Sequence, residues 1–302
     1  MIWANIKGLS IPEGAVKQIA DSAGRVLWKN GVNVKALAIG YSGEYTDQLD
    51  ITMDGKTYRL LTLTSSGTLT IEEDVQADIW LCSGGNGGGN MSGGGGGYFR
   101  EERGVVIKSA VCTVGAGARG GNSQSNGGTS AFGSYVTRAQ TSGYGEDGAS
   151  GGGGAGYAGF PGGSSTYGEG GGVTTVPFGE TTVFDPHCAG GAGGNYYYRS
   201  EGKTTSKAIG GAGGSNGSDG YEGARTTEDI TTIVTQGGFK GGGVGGTAEN
   251  TYGQGGAANF YGSGGGGGGQ IVDEYDGDED SNLGGAGYQG VIYVRIPYDQ
   301  PA

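Results

Sequence analysis

Runs of glycine punctuate the chain from residue 84 to residue 290, with tracts beginning near Gly84, Gly115, Gly151, Gly168, Gly190, Gly210, Gly237, Gly253, Gly262 and Gly284. Glycine costs about 1 kcal/mol per helical position relative to alanine, so tracts this dense exclude helices. They also lack the alternating side chains from which an amphipathic strand builds a buried face. What remains is the extended left-handed threefold helix, which has no internal hydrogen bonds and leaves every N–H and C=O to pair sideways. Only glycine lets such helices pack closely on all sides, so N–H···O bonds and weak Cα–H···O contacts take the place of a side-chain core. At about 3.1 Å per residue, tracts of roughly six to ten residues span on the order of 20–30 Å, the depth of a compact slab.

An unstructured low-complexity linker is the competing reading, since 76 of 302 residues are glycine and glycine loses the most backbone entropy on folding. Against it stand 18 tyrosines and strand-like runs at both ends of the glycine region, where a disordered linker is depleted in aromatic and branched residues. Within residues 1–35, Val16 and Ile19 lead to a turn at Asp21-Ser22-Ala23-Gly24 and then to Val26, Leu27 and Trp28, a hairpin signal. From Leu49, apolar positions alternate through Ile51 and Met53, Asp54-Gly55 supplies a tight turn, and Tyr58, Leu60, Leu61 and Leu63 follow. A second turn at Ser65-Ser66-Gly67 leads to Leu69 and Ile71, and after an acidic connection Ala77, Ile79 and Leu81 alternate with Asp78, Trp80 and Cys82, which implies a small antiparallel sheet. Val291–Ile296, stopped by Pro297, reads as a strand returning to it.

The expected fold is therefore mainly β and irregular, without significant α-helix: a small antiparallel sheet plus a bundle of polyglycine II helices with polar and aromatic loops at both ends. Its divisions are an N-terminal attachment hairpin (1–35), the β region (36–82), the glycine domain (83–290) and a C-terminal strand and tail (291–302).

Several segments carry a resemblance. The run IKGLSIPEGAVKQIADSAGRVLWK (6–29) resembles the opening of tail-associated proteins encoded by phages and prophages of Firmicutes. YRLLTLTSSGTLTI, ADIWLCSGGNGGG, GGGGGYFRE, VCTVGAGARGG, GGTSAFGSYV and GGAGYQGVIYVRIP, in that order between about residues 55 and 298, are similar to the glycine-rich domain of phage tail proteins. The related architecture in tail-fibre adhesins of T-even-like phages is a polyglycine-helix bundle displaying variable loops. The resemblance implies a virion protein at a tail or fibre tip, made in the host cytoplasm. It would attach to other tail or fibre proteins through its N-terminal unit and bind a bacterial-surface receptor, polysaccharide or protein. The polar insertions Val173–Cys188, Asn195–Ile209 and Asp219–Gln236 have no counterpart in that pattern. A structural decoration or fibre protein without receptor binding is the alternative, and an ice-binding glycine-helix protein ranks below both because its faces would be flat and short-looped. The N-terminal hairpin also offers a surface for homo-oligomerisation.

If the tracts alternate in direction, one end of the bundle collects the loops Ser164–Tyr167, Asn195–Ile209, Thr247–Tyr252 and Gln270–Leu283. The candidate receptor-binding residues are accordingly Tyr167, Tyr196, Tyr197, Tyr198, Arg199, Tyr252 and Tyr275, since exposed tyrosines suit a binding surface. Shielding of backbone at the bundle ends is the plainer role for the same rings.

Other chemistries find no support in the residues. A formal charge of −12 from 18 basic and 30 acidic residues argues against a nucleic-acid partner. No run approaches the roughly 20 apolar residues of a membrane helix, and neither a membrane nor a signal peptide is expected. Cys82, Cys112 and Cys188 lack the spacing of a zinc knuckle or disulfide framework and read as buried thiols. The acidic run Asp273–Asp280 offers hard oxygens but fails as a calcium loop, with Ser281 and Gly287 at the positions that need glycine and glutamate. Gly202-Lys203-Thr204 ends like a phosphate loop, yet Tyr197 stands where its first glycine belongs. His187 beside Cys188 lacks the facing geometry of a nucleophile pair and reads as a loop histidine. No enzyme activity, metal or cofactor is expected.

Overall fold

The computed structural model describes residues 18–20, 26–29, 34, 37–90, 92–139, 175–191, 196–200, 203–208, 254–273, 279–281 and 283–298. The strands are β1 (Gln18–Ala20), β2 (Val26–Lys29), β3 (Ile39–Tyr41), β4 (Tyr45–Met53), β5 (Lys56–Leu63), β6 (Gly67–Cys82), β7 (Phe99–Thr113), β8 (Ala131–Phe132) and β9 (Tyr135–Val136). After them come β10 (Tyr196–Ser200), β11 (Lys203–Ala208), β12 (Gln270–Asp273), β13 (Glu279–Ser281) and β14 (Val291–Pro297). The chain is mainly β, and the described residues contain no α-helix, only a 3₁₀ turn at Pro177–Gly179.

The hairpin expected near the N-terminus is present, with Gln18 opposite Lys29 and Ile19 opposite Trp28. The Asp54-Gly55 turn also forms, pairing Met53 with Lys56. Both turn residues have positive φ, 49° and 72°, as a two-residue turn matched to strand twist requires.

An eight-stranded antiparallel sheet runs in the order β4-β5-β14-β6-β7-β8-β9, with β3 also on β6. β14 fits between β5 and β6, Val294 facing Leu61 on one side and Ile79 on the other. The sheet is larger than the sequence suggested because β7, β8 and β9 come from within the glycine region. β7 is hard to read locally: Gly104 interrupts it, and its pairing with β6 shifts register between Thr70 and Val75 and between Ala77 and Ile79. Each shift breaks the period-2 signal that identifies a strand.

Both faces of the sheet centre are covered. Leu69, Ile71, Val75, Ala77, Ile79 and Leu81 of β6 pack on one face with Leu61, Leu63, Ile292, Val294 and Ile296. Trp80 and Cys82 face the other way, among Tyr58, Leu60, Val291 and Tyr293. Full burial of a leucine or isoleucine is worth about 1.5–3 kcal/mol. The unbroken burial of β14 from Val291 to Ile296, Arg295 included, reflects its two covered faces. The second face is capped by Phe178 and Phe184 from the 175–191 segment. Most of that stretch belongs to Val173–Cys188, which reads as a polar insertion in sequence because its few apolar residues follow no period.

Four strands continue directly into or out of glycine tracts, so the tracts extend the sheet's chain paths. Along tract 83–89, successive N–H groups turn to three neighbours in rotation. Ser83 donates to Tyr98, Gly84 to Gly128, Gly85 to Tyr288, Asn86 to Gly95, Gly87 to Ser125, Gly88 to Gly285 and Gly89 to Ser92. The same three-residue step recurs where Gly284, Gly287 and Gly290 donate to Gly121, Ala118 and Gly115. Two further tracts donate to the central one, through Ala118 and Gly121 to Gly85 and Gly88, and through Gly265 and Gly268 to Asn86 and Gly89. The central tract is thus ringed by five others. An added Cβ on Gly85 or Gly88 would lie well inside 3.0 Å of the carbonyl of Ser263 or Gly266, respectively, so the spacing is that of backbone against backbone.

The direction count from sequence needs one revision. The tract that starts at Gly84 doubles back at Asn90–Ser92, and tract 115–121 runs parallel to 84–89, not against it. Entry from β6 and exit into β14 still share the end next to the sheet.

Candidate functional site

The ends of the tracts away from the large sheet are joined by polar connections. Gly290 bonds to Gly115 beside the strands, whereas Gly284 bonds to Gly121 at the opposite end. Tract 262–268 also arrives there, Gly268 donating to Gly89. The hairpin of β12 and β13 links this tract to 284–290 and so springs from the far end. Turns at Asn90–Ser92 and Asn122–Ser125 flank it, with Asn122 and Ser123 exposed.

A second sheet is assembled on that hairpin, in the order β11-β10-β12-β13. β10 lies parallel to β12, so Tyr196, Tyr197, Tyr198 and Arg199 stand opposite Gln270, Ile271, Val272 and Asp273. On its other side β10 pairs antiparallel with β11, with a register shift after Tyr198. β12 pairs antiparallel with β13, Ile271 opposite Asp280. Parallel pairing needs a crossover, not a tight turn, and here it joins the insertion Asn195–Ile209 to the segment Gln270–Leu283, some 70 residues apart in sequence. The strand order sets a charge sequence: β11 with Lys203 and Lys207 forms one edge, and β13 with Glu279 and Asp280 forms the other.

Of the residues singled out from sequence, Tyr196, Tyr197, Tyr198 and Arg199 fall on β10. Tyr167, Tyr252 and Tyr275 lie outside the described residues, as does the stretch 274–278 of the acidic run. Asp273 ends β12, and Glu279 and Asp280 belong to β13. Among the described residues no group of three His, Cys, Asp or Glu side chains is disposed to hold a metal ion.

Several strongly shifted titratable groups, His187, Tyr293 and Cys82, sit elsewhere, at the 175–191 cover. The loop histidine His187 is buried: it is 1% exposed and surrounded by the rings of Trp80, Phe260, Tyr261 and Tyr293. Its Nδ1 lies 2.7 Å from the Asp185 carbonyl, which can only accept, so Nδ1 carries the proton. Nε2 therefore accepts from the Tyr293 hydroxyl at 2.9 Å. Burial lowers the His187 pKa to about 4, although the Asp185 carbonyl and carboxylate pull the other way, and burial likewise pushes the Tyr293 phenol up. The Cys188 sulfur faces Cys82, not His187, and the pair makes no nucleophile–base contact.

The buried imidazole gives the fold an acid sensitivity. The unfolded histidine titrates near 6.5 and the folded one near 4. Between those values the unfolded state holds a proton that the folded state lacks, so stability falls as pH drops through that window. At about 1.4 kcal/mol per unit of pKa difference, roughly 3 kcal/mol is lost by pH 4. Urea denaturation at pH 7, 6, 5 and 4 is expected to trace this decline, and His187→Phe is expected to flatten the slope between pH 6.5 and 5.

The model of a family described as a glycine-rich domain matches residues 62–297. No curated protein matches the chain.

Proposed function

This chain belongs to the glycine-rich domain family, and from that premise we propose that it is a phage tail adhesin. It binds a bacterial-surface receptor through the four-stranded sheet and turns at the far end of its glycine tracts. The tail assignment rests on the ordered resemblance of segments between residues 6 and 297. The binding role rests on one observation above all: strands from two separate polar segments, β10 and β11 from one and β12 and β13 from the other, pair into a single sheet at the end of the tracts that no core strand occupies. A binding surface built on strands over rigid supports keeps its shape before the partner arrives, which lowers the ordering cost of association.

In this reading the tracts form a bundle of polyglycine II helices. Its support is the three-residue rotation of hydrogen-bond donors along 83–89, which matches a helix of three residues per turn. The large sheet and the N-terminal hairpin hold the virion end, and the receptor end is free to vary without touching the lattice.

Binding of the labelled protein to intact cells of the phage's host tests this reading, alongside a Tyr196→Ser/Tyr197→Ser/Tyr198→Ser variant. Aromatic anchors each contribute on the order of 2 kcal/mol at interfaces, so the variant is expected to bind at least ten-fold more weakly while keeping its melting transition. Undiminished binding by the variant would reject the platform as the receptor surface. No binding by the parent protein would favour a decoration role.

A further inference from the structure

Beneath the 175–191 cover, Cys82 at the end of β6 and Cys188 at the end of the cover meet with their Sγ atoms 2.7 Å apart. Both are free thiols and wholly buried. Two separate parts of the fold converge on this contact. Cys188 is anchored by its own N–H to the Tyr261 carbonyl and holds a left-handed backbone at φ 63°. Gly262, the next residue of that tract, lies directly over the sulfurs, where a Cβ would strike the Cys82 Sγ. The third cysteine is kept apart: Cys112 packs in the core on the opposite face of the sheet, its thiol directed to the Ala110 carbonyl.

We propose that Cys82 and Cys188 are a redox-modification site, closing an intrachain disulfide that staples the 175–191 cover to the central strand when the chain folds in the presence of a low-molecular-weight disulfide. In the first step one cysteine thiolate attacks a sulfur of oxidised glutathione, forming a mixed disulfide and expelling one glutathione thiolate. The second cysteine thiolate then attacks the protein sulfur of that mixed disulfide, forming the Cys82–Cys188 bond and expelling the second glutathione. Two protein thiols give up two electrons and two protons, and one oxidised glutathione becomes two reduced ones. The bond would close a loop of about 100 residues, the length regime in which cross-linking restricts the unfolded chain most. Once folded, the sulfurs are enclosed and burial raises the Cys82 thiol well above its ordinary value, so exchange in either direction waits on opening of the cover. The pair stays reduced in a thiol-rich cytoplasm and closes outside it.

The test is to unfold and reduce the full chain, refold it in a reduced and oxidised glutathione buffer, quench with acid, and alkylate in denaturant. One alkylated cysteine per chain, Cys112, is expected in place of three, with a Cys82–Cys188 cross-linked peptide by mass spectrometry and return to three after dithiothreitol. The oxidised protein is expected to melt several degrees higher than the reduced one. Cys112→Ser is expected to leave the cross-link intact and Cys188→Ser to abolish it. Three free thiols after refolding, or a cross-link that includes Cys112, would overturn the proposal, and both outcomes are read on the unmodified sequence whether or not a variant folds.

Discussion

Replacing Gly88 by alanine is expected to destabilise the protein by about 3 kcal/mol or more, although the change adds a single methyl group. Gly88 lies in the central tract, and the new Cβ would overlap the Gly266 carbonyl. That neighbour is backbone, so no side chain can rotate away. Overpacking of this kind costs about 1–3 kcal/mol even in ordinary cores. Here relief also requires parting tracts held by the Gly88-to-Gly285 and Gly285-to-Gly266 bonds, at about 1 kcal/mol each. Gly121→Ala is the matched control: it lies at the end of a neighbouring tract, and its added Cβ would meet only the Ser123 carbonyl at 3.8 Å. Urea unfolding of the two variants is expected to separate them by most of the Gly88 effect. Equal midpoints would mean that backbone closeness in the lattice contributes little to stability.

A loss of about 3–5 kcal/mol is expected for Arg295→Met. Arg295 on β14 is 2% exposed. Its Nε donates to Asp78 at 2.9 Å, and Nη1 lies 3.8 Å from Glu180. The guanidinium is sandwiched between the rings of Tyr58 and Phe178, 4.8 and 4.3 Å from their centroids. Removing the cation takes its positive charge from beside both the Asp78 and the Glu180 carboxylate at a shielded site. Burial and a hydrogen bond with Asp54 already raise the Glu180 pKa, opposed by Arg295 and Arg103. Phe178 adopts a left-handed backbone at φ 56°, a conformation that costs about 1–3 kcal/mol and persists where surrounding contacts enforce it. Arg295→Lys keeps the charge but not the planar stacking and is expected to lose a smaller share, about 1–2 kcal/mol. Chemical denaturation at pH 7 measures both. Stability unchanged in the methionine variant would show that packing alone holds the cover.

Local chemistry made part of this architecture readable. Asp54-Gly55 announced its turn because the required positive φ at both positions narrows the choice of residues. Alternation at Leu69–Ile71 and at Ala77–Leu81 announced the two ends of β6, but the acidic stretch between them read as a connection, whereas the strand runs through it with a register shift between Thr70 and Val75. The burial of His187 was not legible for the opposite reason: nothing near it in sequence is apolar enough to signal it, and its ring is enclosed by Trp80, Phe260, Tyr261 and Tyr293 from distant segments. Similarly, Tyr196–Arg199 drew attention as a cluster of aromatics and charge, but their parallel pairing with Gln270–Asp273 was invisible. Parallel partners share no turn and leave no mark on either strand.

The sequence by itself determined that this chain is mainly β, that helices are excluded from its glycine tracts, and that close backbone packing must replace much of a conventional core. Each follows from what a glycine or an alternating residue can do at its own position. Only the tertiary structure decided which tract stands at the centre, that the 175–191 segment roofs the second core, and that Cys82 meets Cys188 while Cys112 does not. Glycines are chemically identical to one another, so their pairing is set by which backbones the loops and strands bring side by side.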